Sequence, residues 1–231
     1  KYVSYIADGI SVEKINKTRK SMKLGSKRRI TFNDYMLTVI AESVSLYLQE
    51  KKEYIPEYVH LGIPVNIRDK SAKQLNDTML GNKIGSYVIN FPISSKMSFI
   101  QRLKRIKSKL DLAKRTPEAK MSYYAIMLLS LLPKWMADVI GPRTTNKLSL
   151  VASNVKGADT QMTICGVNVV DAIGIVPPPM GVGLGYVIFT YNGKVIVTVN
   201  VDKNIYDERT AKELMQCLKK VLQQQKCVDD C

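Results

Sequence analysis

Histidine and cysteine are scarce in this chain, and long apolar runs are absent. The sequence of 231 residues has one histidine and four cysteines. No C-x-x-C pair or histidine-rich neighbour accompanies the cysteines, so we expect no metal site and favour a reducing, intracellular compartment. The longest nearly unbroken apolar run, Tyr123 to Leu132, is only half of the ~20 residues that a membrane-spanning helix needs. We therefore expect no transmembrane helix.

The amino terminus lacks two features that open many chains. It has neither an initiator methionine nor the basic, apolar and small-residue segments of a secretory signal peptide. We expect the chain to be a piece of a longer protein, with further sequence upstream.

Basic residues, by contrast, are abundant. Thirty-five Lys and Arg against 20 Asp and Glu give a net charge of +15. This charge favours an anionic partner, which is nucleic acid, an acidic membrane surface or a phosphate-bearing ligand such as coenzyme A. No nucleic-acid recognition motif or aromatic stacking platform accompanies the charge, so we do not expect nucleic acid.

The spacing of apolar residues predicts an α+β fold, with a mixed or antiparallel sheet covered by helices. Strands are expected near residues 3–6, 59–67, 87–93, 148–153, 162–167, 185–191 and 194–201. Helices are expected after Ser11, from Asn33 or Asp34 as the cap, and over residues 96–114, 118–139 and 208–224. Pro133 should break the fourth helix, Asn192-Gly193 should join the last two strands, and Pro64 should mark an edge or bulged strand.

A series of motifs follows in a fixed order along the chain. They include Thr31-Phe32-Asn33-Asp34-Tyr35-Met36-Leu37, Gly62-Ile63-Pro64-Val65-Asn66-Ile67-Arg68, Ser153-Asn154-Val155-Lys156-Gly157 and Tyr191-Asn192-Gly193-Lys194. Together they resemble the carboxyl-terminal half of the wax ester synthase/diacylglycerol acyltransferase (WS/DGAT) family over nearly the whole chain. The resemblance implies half of a chloramphenicol-acetyltransferase-like fold, in which two similar halves meet and acyl-CoA and acceptor enter a tunnel from opposite sides. We therefore expect a single domain over residues 1–231, without the catalytic amino-terminal half.

The resemblance also implies a function. It is that of part of an acyl-CoA-dependent O-acyltransferase, which acts on a long-chain alcohol or diacylglycerol to make wax esters or triacylglycerol. The family's H-H-x-x-x-D-G motif, which supplies the general base, is absent, and the lone His60 lacks its context. We therefore expect no catalytic residue in this chain. The alternative is a non-catalytic, acyltransferase-like structural or interaction subunit.

Five residues are candidate ligands for substrate or coenzyme A. Asn33 and Asp34 either shape the active-site region or only cap a helix. Ser153 and Asn154 end a strand where related acyltransferases place hydroxyl groups near the thioester carbonyl, or they form a plain turn. Arg68 either meets coenzyme A phosphates or closes a local ion pair. No cofactor is expected, because acyl-CoA is a substrate.

The helix predicted over residues 96–114 has an apolar stripe and a basic face. Arg102, Lys104, Arg105 and Lys107 are candidate contacts to an anionic membrane, and the alternative is a solvated face. The segment Tyr123–Val139 either approaches membrane or acyl chains or is buried in the protein. We expect an intracellular protein, peripheral to the endoplasmic reticulum or a lipid droplet. Its expected partners are acyl-CoA, a lipid alcohol, and the missing half or another chain.

Overall fold

The computed structural model describes residues 2–22, 29–68, 82–145, 147–179 and 181–225. Its strands are β1 (Tyr2–Ser11), β2 (Tyr58–Asn66), β3 (Ile84–Pro92), β4 (Leu150–Lys156), β5 (Thr163–Ile164), β6 (Val167–Asn168), β7 (Leu184–Tyr191) and β8 (Lys194–Asp202). Its helices are α1 (Val12–Ser21), α2 (Phe32–Glu50), α3 (Phe99–Ala113), α4 (Glu118–Ser130), α5 (Lys134–Thr145) and α6 (Glu208–Gln224). The chain breaks between α4 and α5 around Pro133, which confirms the predicted interruption.

A six-stranded mixed sheet has the order β1-β8-β7-β4-β2-β3. The pairs β2–β4 and β4–β7 are parallel, and the other three pairs are antiparallel. Asn192 and Gly193 join β7 to β8 with positive φ at both residues, as the hairpin prediction requires. The α+β prediction is confirmed.

Two strand predictions are wrong. Residues 162–167 do not form one strand, because Cys165 and Gly166, both at positive φ, turn the chain between the two-residue strands β5 and β6. Strand β2 lies inside the sheet rather than at its edge, and its register with β3 is continuous. Pro64 is tolerated there because β4 pairs with β2 only at Leu61 and Gly62, so no neighbouring strand needs the missing Pro64 N–H.

Helices α2, α3 and α6 cover one face of the sheet, and a single hydrophobic core lies between them. Alternate residues of β7 and β8 face this core, as a period of two requires. The core includes Met36 and Ile40 of α2, Ile106 of α3, and Leu218 of α6, all almost fully buried. Most residues of α2 from Asp34 to Ser45 are buried, so the expectation of a long central helix is confirmed.

Thr31 is the N-cap of α2, so the prediction that Asn33 or Asp34 occupies this position is wrong. The Thr31 hydroxyl accepts a hydrogen bond from the Asp34 backbone N–H at 3.1 Å. The Asp34 carboxylate accepts in return from the Thr31 N–H at 2.8 Å. This reciprocal pair is a capping box, and it places Asn33 in the first turn of the helix.

Helix α4 covers the outer edge of β3. The hydroxyl of Ser122 accepts a hydrogen bond from the Ser86 N–H at 2.7 Å, and the Glu118 carboxylate accepts from the Val88 N–H at 2.8 Å. These N–H groups lie two residues apart, on the side of β3 that faces away from β2. The helix therefore satisfies an edge that would otherwise be free to pair with another strand.

The close approach of α4 to β3 depends on Gly85. A Cβ atom at this position would collide with the backbone carbonyl of Ala119 in the first turn of α4. Gly185 in β7 is a matched control, because a Cβ there would lie 3.6 Å from its nearest neighbour, Pro178.

We predict that Gly85→Ala destabilises the fold by about 2 kcal/mol, since it forces α4 away from the strand edge. Gly185→Ala should change the free energy of unfolding by less than about 1 kcal/mol. Urea unfolding followed by circular dichroism measures both. Equal unfolding midpoints for the two variants would show that α4 does not need the close approach.

Candidate functional site

Asn33 and Asn154, 121 residues apart in sequence, are in contact. The Asn154 side-chain amide donates a hydrogen bond to the Asn33 side-chain oxygen, with a nitrogen to oxygen distance of 3.3 Å. Asn33 is held in the first turn of α2 by the capping box, and Asn154 lies near the end of β4. The structure therefore brings two of the predicted site residues together.

Asn154 of this pair lines an open groove of about 780 Å³, which we call the amide groove. The groove lies where the start of α1, the end of β4 and the β7–β8 hairpin converge. Its lining combines amides, hydroxyls and charged groups with apolar surface: Ser11, Val12, Glu13, Asn16, Lys20, Phe32, Asn154, Lys156, Ala158, Asp159, Thr190, Tyr191 and Gly193. These groups can donate to and accept from a polar, flexible ligand.

Asp34 does not line the amide groove. The residue is fully buried, and its carboxylate lies 3.4 Å from the Lys107 ammonium, which also contacts Asp111. Lys107 is 6% exposed, so its prediction as a membrane-surface residue is wrong. The Asp34–Lys107 pair ties the first turn of α2 to α3, which favours the structural role for Asp34 over a substrate-binding one.

Arg102 is also inside the protein, and its prediction as a membrane-surface residue is wrong. Only 1% of the residue is exposed, and its guanidinium donates to Glu42 at 2.8 Å and to the carbonyls of Pro92 and Ser94 at 2.8 and 3.0 Å. Burial lowers the pKa of this guanidinium, and the charge of Glu42 partly offsets the effect.

Lys104 and Arg105 are exposed, as the sequence predicts, and Arg105 forms a surface ion pair with Glu57 at 3.3 Å. A contact between these two residues and a membrane stays a prediction. Only two of the four cations expected on this basic face are exposed. Apolar spacing alone does not show which long basic side chains have buried partners.

Ser153 precedes Asn154 but lines a different cavity. This second cavity, which we call the apolar cavity, measures about 300 Å³. Among its lining residues are Leu148, Val151 and Val176, and the run Pro177–Pro179. Adjacent residues of a strand point to opposite faces, so the structure separates the two members of the predicted Ser153–Asn154 pair.

Arg68 does not line the amide groove. It lines a third concave surface, of about 440 Å³, together with Lys114, Arg115 and Lys120. Its guanidinium and backbone N–H both donate to Asn66, at 3.2 and 3.0 Å. We call this surface the basic cleft, and it shares no lining residue with the amide groove.

His60 is half-buried on β2, where its ring packs edge-to-face on Tyr58 at 5.8 Å between centroids. It lines none of the three cavities above. Among the described residues no cluster of potential metal ligands is present, and no helix is long and apolar enough to cross a bilayer. Burial, with help from Glu50, raises the pKa of the Cys217 thiol to about 11, which disfavours its thiolate form.

Sequence reasoning missed three features of the site. Thr31 and Asp34 match the T-x-x-D form of a capping box, so this signal was available. The burial of Lys107 and Arg102 could not be predicted, because Asp34 and Glu42, the carboxylates that join them to α2, lie 73 and 60 residues away. No sequence signal indicated that Asn16 and Lys20 line the amide groove.

The fold is that of acyltransferases and peptide-synthetase condensation-type domains. The structure matches the wax ester synthase/diacylglycerol acyltransferase of Marinobacter aquaeolei VT8 with a TM-score of 0.58 and 16% identity, over 97% of this chain and 49% of that protein. It also matches a cyclization-docking bidomain of a peptide synthetase from Sorangium cellulosum, with a TM-score of 0.63 and 12% identity, over 98% and 41%. The epimerization domain of tyrocidine synthetase B gives a TM-score of 0.61 with 13% identity, over 97% and 48%.

The chain belongs to the WS/DGAT family, because the WS/DGAT C-terminal domain matches residues 80–226. A protein of Mycobacterium tuberculosis described as a probable diacylglycerol O-acyltransferase is 24% identical over 191 residues, which cover 80% of this chain and 38% of that protein. A Mycobacterium bovis relative gives the same values. The chain therefore spans well under half the length of these curated relatives.

We predict that Arg102→Ala destabilises the fold by about 3 kcal/mol or more, since it leaves Glu42 and two carbonyls without their donor. Arg105→Ala, on the same helix, should cost less than about 1 kcal/mol because its ion pair is exposed. Thermal and urea unfolding compare the two variants. Similar losses for both would contradict the buried anchoring role of Arg102.

Proposed function

We propose that the chain is part of an acyl-CoA-dependent O-acyltransferase whose acceptor is a long-chain alcohol or diacylglycerol. The observation that carries this proposal is the match of residues 80–226 to the WS/DGAT C-terminal domain. The match covers 38% of the Mycobacterium bovis relative and 49% of the Marinobacter acyltransferase, so we place the activity in a larger enzyme of which this chain is one part.

The amide groove is the place where this part of the enzyme would meet the acyl thioester. The bond from Asn154 to Asn33 uses one amide N–H of the pair, and the other N–H groups can donate to a ligand carbonyl. Fixed donors of this kind stabilise the negative charge that develops on a thioester oxygen as the acceptor attacks. We therefore assign Asn154 a polar contact to the substrate, with Asn33 as its positioning partner.

The proton of the attacking hydroxyl needs a base, and no histidine lines the amide groove. The groove's two carboxylates are Glu13 and Asp159, and Asp159 is paired with Lys156 at 2.8 Å. The sequence has one histidine, and His60 packs on Tyr58 on another strand. Asp34 is excluded as the base because it is buried in its pair with Lys107. The proposal therefore takes the base from the other part of the enzyme.

The apolar cavity suits the alkyl part of a lipid substrate. It is lined mainly by aliphatic, glycine and proline residues, and its hydroxyl groups are those of Ser86, Thr145, Ser153 and Tyr186. Because β4 carries Ser153 to this cavity and Asn154 to the amide groove, one strand would contact both the apolar and the polar part of the reactants. We also propose a location at the surface of an intracellular membrane, where such lipids are held.

We predict that Asn154→Ala lowers the kcat of the complete enzyme by about 100-fold, with little change in its melting temperature, since it removes an oriented donor. The assay uses the full protein encoded by the gene, labelled acyl-CoA and either a long-chain alcohol or diacylglycerol. Asn90→Ala, at an exposed position on β3, is the matched control and should keep parental activity.

The 231-residue chain alone should show no turnover in this assay. Turnover by the chain alone that is lost in His60→Ala would refute the assignment of the base to another part. A complete enzyme that transfers no acyl group would instead support the alternative, a non-catalytic interaction subunit.

A further inference from the structure

Two apolar surfaces of this chain are exposed. The first, which we call the α4–α5 face, consists of Met121, Tyr124, Met127, Leu128, Leu131, Trp135 and Val139. The second is the segment of residues 157–179, which includes Ile164, Val167 and Val170. Exposed apolar patches of this kind mark contacts to a protein or a lipid surface. The charged residues around the two surfaces differ, and this difference indicates which surface contacts lipid and which contacts protein.

The α4–α5 face is directed away from the sheet. Its residues on α4 recur at spacings of three and four, which puts them on one side of the helix. Glu118 and Ser122, which bind β3, and the buried Ala119 lie on the opposite side. The helix is therefore already anchored through one side, and its apolar stripe on the other side is exposed.

The turn between the two helices carries the most exposed large side chains of this face. Leu131 is 74% exposed and Trp135 is 70% exposed, and they lie on either side of Pro133. Along α5, Trp135 is followed at spacings of four by Val139 and the exposed Arg143. Aromatic rings beside aliphatic and basic side chains are typical of helices that lie in the interface of a bilayer.

Basic residues surround the α4–α5 face. Between residues 114 and 147 the sequence has two acidic residues, Glu118 and Asp138, and six basic ones: Lys114, Arg115, Lys120, Lys134, Arg143 and Lys147. Both carboxylates are engaged, Glu118 by the Val88 N–H and Asp138 by Lys134 at 2.6 Å. Three of the cations, Lys114, Arg115 and Lys120, line the basic cleft beside the start of α4.

The second apolar surface has the opposite character. Residues 157–179 contain no Lys or Arg and two aspartates, Asp159 and Asp171. Lys156 and Lys194 form ion pairs with these aspartates at 2.8 and 3.5 Å. This surface therefore has no excess of cations to attract an anionic bilayer, whereas the surroundings of α4 and α5 do. Lysine is also depleted at protein interfaces. The distribution of charge therefore favours lipid for the α4–α5 face and protein for the segment 157–179.

We propose that the α4–α5 face is a docking surface for an anionic lipid bilayer, into whose interface Leu131 and Trp135 insert. The proposal deepens the membrane location proposed above by naming the surface responsible, and it does not depend on acyl transfer. The surface is a different one from the basic face of α3, of which Arg102 and Lys107 are buried.

The intrinsic tryptophan fluorescence of the chain comes from the α4–α5 face alone, because Trp135 is its only tryptophan. We expect vesicles of phosphatidylcholine with phosphatidylglycerol to shift the Trp135 emission to the blue, and brominated acyl chains to quench it. Vesicles of phosphatidylcholine alone should bind the chain several-fold more weakly, and salt should weaken binding to the anionic vesicles.

A neutral substitution separates insertion from charge. Leu128→Asn with Leu131→Asn should lower the partition coefficient by about tenfold, because two aliphatic side chains no longer enter the bilayer. Val167→Asn, at a position that is 70% exposed on the second surface, should leave the coefficient unchanged. Unfolding curves check that each variant keeps its fold.

Three results would overturn the proposal. The first is an unchanged Trp135 emission in the presence of anionic vesicles. The second is an equal loss of binding in Val167→Asn and the leucine double variant. The third is a blue shift that grows with protein concentration without vesicles and disappears in the double variant, because it would assign the face to a second copy of the chain. None of these results bears on acyl transfer, which the enzyme assay tests separately.

Discussion

The attachment of α3 to α2 through buried charges is the constraint on which the rest of the site depends. Lys107 pairs with Asp34 in the first turn of α2, and Arg102 pairs with Glu42 two turns later. Burying such charges costs desolvation free energy, so their net contribution to stability can be small although the loss of one partner is costly. Their main effect is to fix where α2 begins. That position in turn brings Asn33 to Asn154 at the amide groove.

The net charge of +15 has at least two separate uses in this structure. Some cations, such as Arg102 and Lys107, are internal and hold two helices together. Others surround the exposed apolar helices α4 and α5, where we propose that they attract anionic lipid. The segment 157–179 has no basic residue, and it is tied to the sheet through the Tyr191 hydroxyl, which donates to the Val169 carbonyl at 2.7 Å. The net charge therefore does not identify a binding partner until each charged residue is assigned to a particular surface.

Local patterns predicted the elements of the fold well, and they predicted the partners of individual residues poorly. The period of two in β7 and β8, the Asn192-Gly193 turn and the break at Pro133 each depend on neighbours in sequence, and the structure contains all three. The burial of Arg102 depends on Glu42 and on the end of β3, which are brought to it only by the completed fold. The contact between Asn33 and Asn154 had a partial signal, because both residues belong to motifs that resemble one family. Ser153 and Arg68 line other cavities than Asn154 does. This separation became visible only in the three-dimensional arrangement of β4 and α4.

The most direct test of this account is a double-mutant cycle on the pair that fixes the start of α2. Asp34→Asn, Lys107→Met and the double variant are compared by their free energies of unfolding in urea. The account predicts a coupling energy of about 1 kcal/mol or more, with the double variant more stable than the sum of the two single losses implies. Single losses that add to within about 0.3 kcal/mol would contradict it, because they would show that α2 is positioned without the buried pair.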